Sequence, residues 1–106
     1  FRKDEAGKFV WPGYGENMRV LKWMIDRIEG QVKGKENVFG VSPTFEEINW
    51  TGLNFTADQF KTVTHVDKAA WVEELKLHEE LFTQLAYHLP AEMTATKSSL
   101  AERLEA

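Results

Sequence analysis

The sequence has no cysteine, only three prolines and two tyrosines, and no apolar run near the roughly 20 residues that span a bilayer as a helix. Without cysteine there is no disulfide framework, thiolate nucleophile or thiolate metal site, and a reducing compartment fits. Two sequons, Asn49-Trp50-Thr51 and Asn54-Phe55-Thr56, point toward secretion, but motifs this short arise by chance. The chain also lacks a Gly-x-x-x-x-Gly-Lys-Ser/Thr phosphate loop, and Gly13-Tyr14-Gly15 is too short for a dinucleotide fingerprint. His78-Glu79-Glu80-Leu81-Phe82 places Phe82 where a zinc helix needs its second histidine, so His78 reads as a core residue on an apolar stripe. His65 and His88 stand alone, and the pairs Glu73-Glu74 and Glu79-Glu80 read as solvated helix faces rather than acid-base machinery.

What remains is an ordinary globular composition, 42% hydrophobic and 28% charged, long enough for one domain with its own core. The chain opens on Phe1 without a signal-peptide series and reads as a segment of something longer. Its net charge of -4 is unevenly spread: residues 1–35 carry eight Lys/Arg against five Asp/Glu, and residues 36–106 carry five against twelve. The basic end suits a small anionic ligand; duplex nucleic acid would require far more positive charge.

That end holds Phe9-Val10-Trp11-Pro12-Gly13-Tyr14-Gly15-Glu16-Asn17, a dense run of aromatics, glycines and one amide. Asp4-Glu5-Ala6-Gly7 separates two aromatic-bearing arms and predicts a hairpin whose first strand begins before Phe1. Trp11-Pro12-Gly13-Tyr14 suits a type II turn, and Gly15 permits a second change of direction. Met18, Leu21, Met24, Ile25 and Ile28 recur at helical spacing, with Val20 and Trp23 widening the stripe, predicting a buried-face helix capped by Asn17 and stopped at Gly30. Gln31–Asn37 reads as an exposed loop, Val38–Val41 and Ile48–Leu53 as short strands, and Pro43 as the start of a single helical turn. Capping boxes at Thr56–Gln59 and Thr64–Asp67 open a brief helix and then the longest one, near residues 67–88. Pro90 starts a final surface helix. The fold class is α+β, with a short N-terminal hairpin, small strands and several helices.

A nucleobase requires flat rings to stack on and a directional polar group at its edge. Phe1, Phe9 and Tyr14 supply rings, and the Asn17 amide offers donor and acceptor. The same residues also fit a plainer arrangement, in which the aromatics plug a small core and Asn17 caps a helix; the chain would then be a helical interaction or structural module without a nucleotide site.

Phe1-Arg2-Lys3-Asp4, then Gly7-Lys8-Phe9-Val10-Trp11-Pro12-Gly13-Tyr14-Gly15-Glu16-Asn17 and Arg19-Val20-Leu21-Lys22-Trp23, closely resembles the C-terminal region of GTP-dependent phosphoenolpyruvate carboxykinases. The likeness covers residues 1 to about 30; beyond Gly30 it lies in length and a helical ending. The resemblance implies an enzyme that converts oxaloacetate and GTP to phosphoenolpyruvate, GDP and carbon dioxide in gluconeogenesis. It implies that residues 1–106 are one C-terminal fragment of the nucleotide-binding lobe, with the guanine corner in 1–30 and a mostly helical remainder in 31–106.

By motif position Phe1, Phe9 and Tyr14 would be guanine walls, Asn17 would touch the base edge, and Gly15 and Glu16 would line the site. Tyr14 stands where the family more often has Phe. The phosphate loop, the ligands for manganese or magnesium, the oxaloacetate-binding arginines and the lid would all precede Phe1. No catalytic residue is therefore expected in this chain, and the fragment alone would be inactive. The implied partners are a guanine nucleotide and the rest of a cytoplasmic, monomeric enzyme, with no nucleic acid or membrane. Trp23 and Trp50 would be left exposed in the fragment, favouring self-association.

Overall fold

Four helices and one two-stranded antiparallel hairpin account for the regular structure, so the chain is α+β and mostly helical, as the sequence pattern implies. The computed structural model describes all residues 1–106 and divides into two units, Phe1–His65 and Val66–Ala106.

In the first unit the N-terminal arms come together as a loop rather than a full hairpin. The ladder is reduced to a single antiparallel bridge between Lys3 and Phe9, because most of the pairing is spent on closing the turn. Asp4 N–H donates to the Lys8 carbonyl at 2.8 Å, and the Asp4 side chain accepts from Lys8 N–H at 2.9 Å. Arg2 reaches across to the carbonyls of Thr62 (2.9 Å) and His65, adding donors at the C-terminal end of helix α2 (Ala57–Thr64).

The predicted type II turn at Trp11–Tyr14 is corrected. Gly13 does have positive φ, but at φ 130° and ψ 173° it sits in an extended region open essentially to glycine alone. Gly15 keeps an ordinary negative-φ backbone inside the short 3-10 turn Tyr14–Glu16, so the second glycine is not the change of direction.

Helix α1 spans Asn17–Ile28. Asn17 is its first helical residue, at φ -62° and ψ -25°, and Glu16 holds the N-cap position without a side-chain capping bond. Asn17 therefore does not cap α1, because its amide is engaged elsewhere. The expected buried face is also corrected: Met18, Leu21, Met24, Ile25 and Ile28 are exposed, whereas Trp23 is buried. At 3.6 residues per turn Trp23 lies roughly 140–160° round the helix from Met18, Leu21, Ile25 and Ile28.

The Trp23 face is held by directional bonds. Arg19 donates to the carbonyls of Asn49 (2.6 Å) and Thr51 (3.0 Å), Arg27 donates to Lys33 O, and Trp23 donates to Glu47 at 3.0 Å.

Strands β1 (Lys35–Asn37) and β2 (Gly40–Ser42) pair antiparallel, with Glu36 opposite Val41. The first lies in the stretch whose polarity predicts a loop, and Val38 and Phe39 form the turn instead of a strand. Gly34, at φ 72°, precedes the pair. A Cβ there would lie 2.6 Å from Val41 Cγ1 and 2.9 Å from both Ser42 O and Trp23 Cζ2, so only glycine fits this approach. Thr44, rather than Pro43, takes the N-cap of the following 3-10 turn, Phe45–Glu47.

Ile48–Leu53 forms no strand. Ile48 is buried, and Leu53 N–H bonds to Trp50 O at 3.0 Å in a tight turn. This turn brings Trp50 into an aromatic cluster. Its ring stacks on Phe45 (5.4 Å, 20°), packs near Phe55 (5.0 Å) and meets Trp11 edge-on (6.2 Å), while its N–H satisfies Phe45 O at 2.9 Å. The expectation that Trp23 and Trp50 stand exposed is overturned, since Trp23 is buried and Trp50 half-buried.

Helix α2 starts at the predicted capping box, with Gln59 N–H donating to Thr56 Oγ1 at 3.2 Å and Thr56 N–H to Gln59 Oε1 at 2.9 Å. The second box is not built: Thr64 ends α2, and Asp67 alone caps α3, accepting from Ala70 N–H at 3.1 Å.

In the second unit α3 (Lys68–Gln84) packs against α4 (Ala91–Glu105), burying Leu75 and Leu104. Lys97, in the polar centre of α4, pairs with Glu79. Pro90 holds the N-cap of α4, as predicted. His78 is no core residue: it is half-buried, with Nε2 3.3 Å from Glu74 Oε1 one turn back.

Candidate functional site

Six residues are singled out by the sequence: Phe1, Phe9, Tyr14, Gly15, Glu16 and Asn17. The fold arranges them in two groups within the first unit. Phe1 and Phe9, carried on the two arms of the loop, meet edge-to-face with centroids 5.8 Å apart and planes at 63°. Both are exposed, and the Lys3 ammonium sits 5.1 Å from the Phe9 centroid.

Tyr14 and Asn17 belong to the second group. Both line a cleft of about 560 Å³, within the range of ordinary small-molecule pockets, whose other walls include Trp11, Met18, Leu21 and Phe60. Tyr14 is 90% exposed, so its ring is unused by the core. Its position follows from Gly13, whose unusual backbone launches the 3-10 turn, and from the start of α1 immediately after.

Gly15 shapes this turn without contributing a side chain. Glu16 turns toward the protein: its carboxylate accepts from Arg19 Nε at 2.5 Å, and Arg19 clamps the Asn49–Thr51 turn. Glu16 thus steadies the start of α1.

Asn17 is bound in a way the sequence pattern does not signal. Trp11 Nε1 donates to Asn17 Oδ1 at 2.8 Å. Trp11 is half-buried, with its ring meeting Phe55 at 5.7 Å and Trp50 at 6.2 Å, so its N–H is placed by the aromatic cluster. The one available clue was chemical: a half-buried tryptophan must satisfy a single donor. With Oδ1 occupied, the exposed Asn17 keeps a free NH₂ donor.

The other strong electrostatic feature is Glu47. Its Oε1 accepts from Gly34 N–H (2.9 Å) and Lys33 N–H (3.2 Å), and its Oε2 from Trp23 Nε1 (3.0 Å) and Thr44 N–H (3.1 Å). The Gly34 and Thr44 amides, more than the Trp23 and Lys33 donors, hold its pKa at about 2 against an ordinary 4.5. All four donors are structural, so this carboxylate is a tie-point rather than a reactive group.

No group of three or more His, Cys, Asp or Glu side chains converges on a possible metal position, and no metal role is assigned to these residues. No helix is long and apolar enough to cross a membrane.

Tyr14 and Asn17 thus share one cleft, which Phe1 and Phe9 do not line, on a mostly helical α+β chain, and comparison with known proteins gives its family. The chain belongs to the phosphoenolpyruvate carboxykinase C-terminal P-loop domain family, whose model matches residues 1–103. It is 42% identical over 106 residues to phosphoenolpyruvate carboxykinase [GTP] of Anaeromyxobacter dehalogenans strain 2CP-C, covering all of this chain and 18% of that relative. The same figures, 42% over 106 residues and 18% of the relative, hold for the phosphoenolpyruvate carboxykinase [GTP] of Corynebacterium jeikeium. That of Paenarthrobacter aurescens is 40% identical over 104 residues, or 98% of this chain and 17% of the relative. The chain thus spans less than a fifth of the length of these relatives, and the likeness runs well past Gly30, where the motif resemblance weakens.

Proposed function

We propose that this chain is the guanine-recognition part of a longer GTP-dependent phosphoenolpyruvate carboxykinase, which turns oxaloacetate and GTP into phosphoenolpyruvate, GDP and carbon dioxide. The observation that carries the reading is the pairing, on one cleft, of the unused Tyr14 ring with the free Asn17 amide donor. Tyr14, with Phe1 and Phe9 on the neighbouring arm, offers faces on which a base stacks; Asn17 reads its edge; Gly15 and Glu16 fix the turn that carries them. The phosphate-binding groups, the divalent metal, manganese or magnesium, and the oxaloacetate site belong to the remaining polypeptide. The isolated chain is inactive in this reading. In the same reading the enzyme serves gluconeogenesis in the cytoplasm.

The exposed Met24, Ile25 and Ile28, outside the cleft, support a further part of the proposal: the rest of the enzyme covers this end of α1. Relatives more than five times as long supply ample chain to do so.

The test is calorimetric titration of the full-length protein that carries this chain. GDP is expected to bind at least about tenfold more tightly than ADP, a difference of roughly 1.4 kcal/mol. Equal affinities would sink the guanine assignment. The 106-residue chain alone should bind more weakly than ~1 mM, since stacking of roughly 1–3 kcal/mol per base does not by itself offset an association cost of about 4 kcal/mol or more.

A further inference from the structure

We propose that Trp11 is the positioning residue for base selection: its indole N–H fixes which way the Asn17 amide faces, and that orientation admits a 6-oxo purine and rejects a 6-amino one. The inference rests on the guanine reading above and deepens it.

An asparagine amide is a poor reader of bases when free to turn, because rotation by half a turn exchanges donor for acceptor. Here the turn is blocked. Tryptophan Nε1–H is only ever a donor, so the atom 2.8 Å from it must be the amide oxygen; the reverse orientation would oppose N–H to N–H. Trp11 cannot readily yield, since Phe55 and Trp50 hold its ring edge-on at 5.7 Å and 6.2 Å. Asn17 sits at the first turn of α1, which limits its backbone as well. The amide NH₂ has no hydrogen-bond partner within the chain, and Asn17 is an exposed residue lining the cleft.

A fixed donor discriminates only where purines differ. Guanine and adenine both present N7 as an acceptor, but guanine carries an acceptor oxygen at position 6 where adenine carries a donor amino group. An Asn17 donor directed at that position bonds guanine and meets adenine donor-to-donor, leaving two polar groups unpaired. Inosine keeps the 6-oxo group and lacks only the 2-amino group, so this device treats inosine and guanosine nucleotides alike.

The experiment uses the full-length protein and compares kcat/KM for GTP, ITP and ATP. Trp11→Phe keeps an aromatic ring against Trp50 and Phe55 and removes the N–H together with one ring of the indole. It is expected to lower the GTP-over-ATP preference by about tenfold, the equivalent of one hydrogen bond, with the GTP-over-ITP ratio unchanged. A purely structural role for Trp11 would lower all three nucleotides together and leave both ratios intact, which would overturn the proposal.

Asn17→Asp guards against a misfolded Trp11 variant. Aspartate still accepts the Trp11 N–H but offers no donor, so it should abolish or reverse the GTP-over-ATP preference; retention of that preference would also overturn the proposal. Asn17→Ala separates the two levels. Loss of preference in Asn17→Ala but not in Trp11→Phe removes the positioning role and leaves the guanine corner standing. An unchanged preference in both removes the guanine reading itself.

Discussion

The indole N–H of Trp23 donates to Glu47 Oε2 at 3.0 Å, tying the buried face of α1 to a carboxylate 24 residues further on. The same carboxylate gathers the Lys33, Gly34 and Thr44 amides, so helix, hairpin entry and 3-10 turn converge on one charged group.

The first unit should therefore be acid-sensitive through Glu47. Its folded pKa of about 2 lies below the ordinary 4.5, so its ionised form favours the folded state. That contribution is complete above about pH 4.5, declines as pH falls, and is gone below about pH 2. Urea-unfolding midpoints of native and Glu47→Gln protein should differ most above about pH 4.5 and converge toward about pH 2. A gap independent of pH would show that the four donors do not act through the charge.

Gly34 is a second pressure point. Alanine there would place Cβ against Val41, Ser42 O and Trp23 while holding a residue at φ 72°. Backbone strain of about 1–3 kcal/mol is expected, with overpacking of similar size added to it. Gly30→Ala, also at positive φ (78°) but with open space around it, should suffer only the conformational part. Equal losses of stability in the two variants would mean that the crowding at Gly34 relaxes freely.

Phe9 tests the stacking wall separately from the amide. Because Arg2 and the Asp4–Lys8 bonds hold the loop, Phe9→Ala should leave the arm in place. Guanine nucleotide affinity in the full-length protein should fall by roughly 1–3 kcal/mol, with the GTP-over-ATP preference preserved because stacking is indifferent to the base edge. An unaltered affinity would remove Phe9 from the site.

The exposed stripe on α1 gives a prediction that needs no ligand. Met18 and Met24, 67% and 48% exposed, should oxidise readily with dilute peroxide in the isolated chain. If the remaining polypeptide covers the end of α1 beyond the cleft, Met24 should be protected several-fold in the full-length protein while Met18, on the cleft, stays reactive; mass spectrometry of the two samples decides it. Equal oxidation of Met24 in both would show that face to be solvent-facing in the enzyme too.

Much of the local structure was legible because its causes are local. The Thr56–Gln59 box, the arrest of α1 before Gly30 and the start of α4 after Pro90 depend on residues within a few positions, and the chain builds each of them. The aromatic corner was legible in the same way, as a run whose composition suits a base and whose order marks the family. Periodicity alone misled at α1, because an apolar stripe states that a face must be covered without stating by what.

Sequence by itself thus determined the helices, the Thr56–Gln59 capping box, the positive φ at Gly13 and the family to which the run Phe9–Asn17 points. Tertiary structure decided which face of α1 turns inward, because Arg19, Trp23 and Arg27 find directional partners at Asn49, Glu47 and Lys33, while the apolar stripe finds none within the chain. It also decided the state of Asn17. A side-chain amide has two faces of opposite sense, and only a donor brought against it from Trp11, through a cluster assembled by Trp50 and Phe55, determines which one is left to meet a ligand.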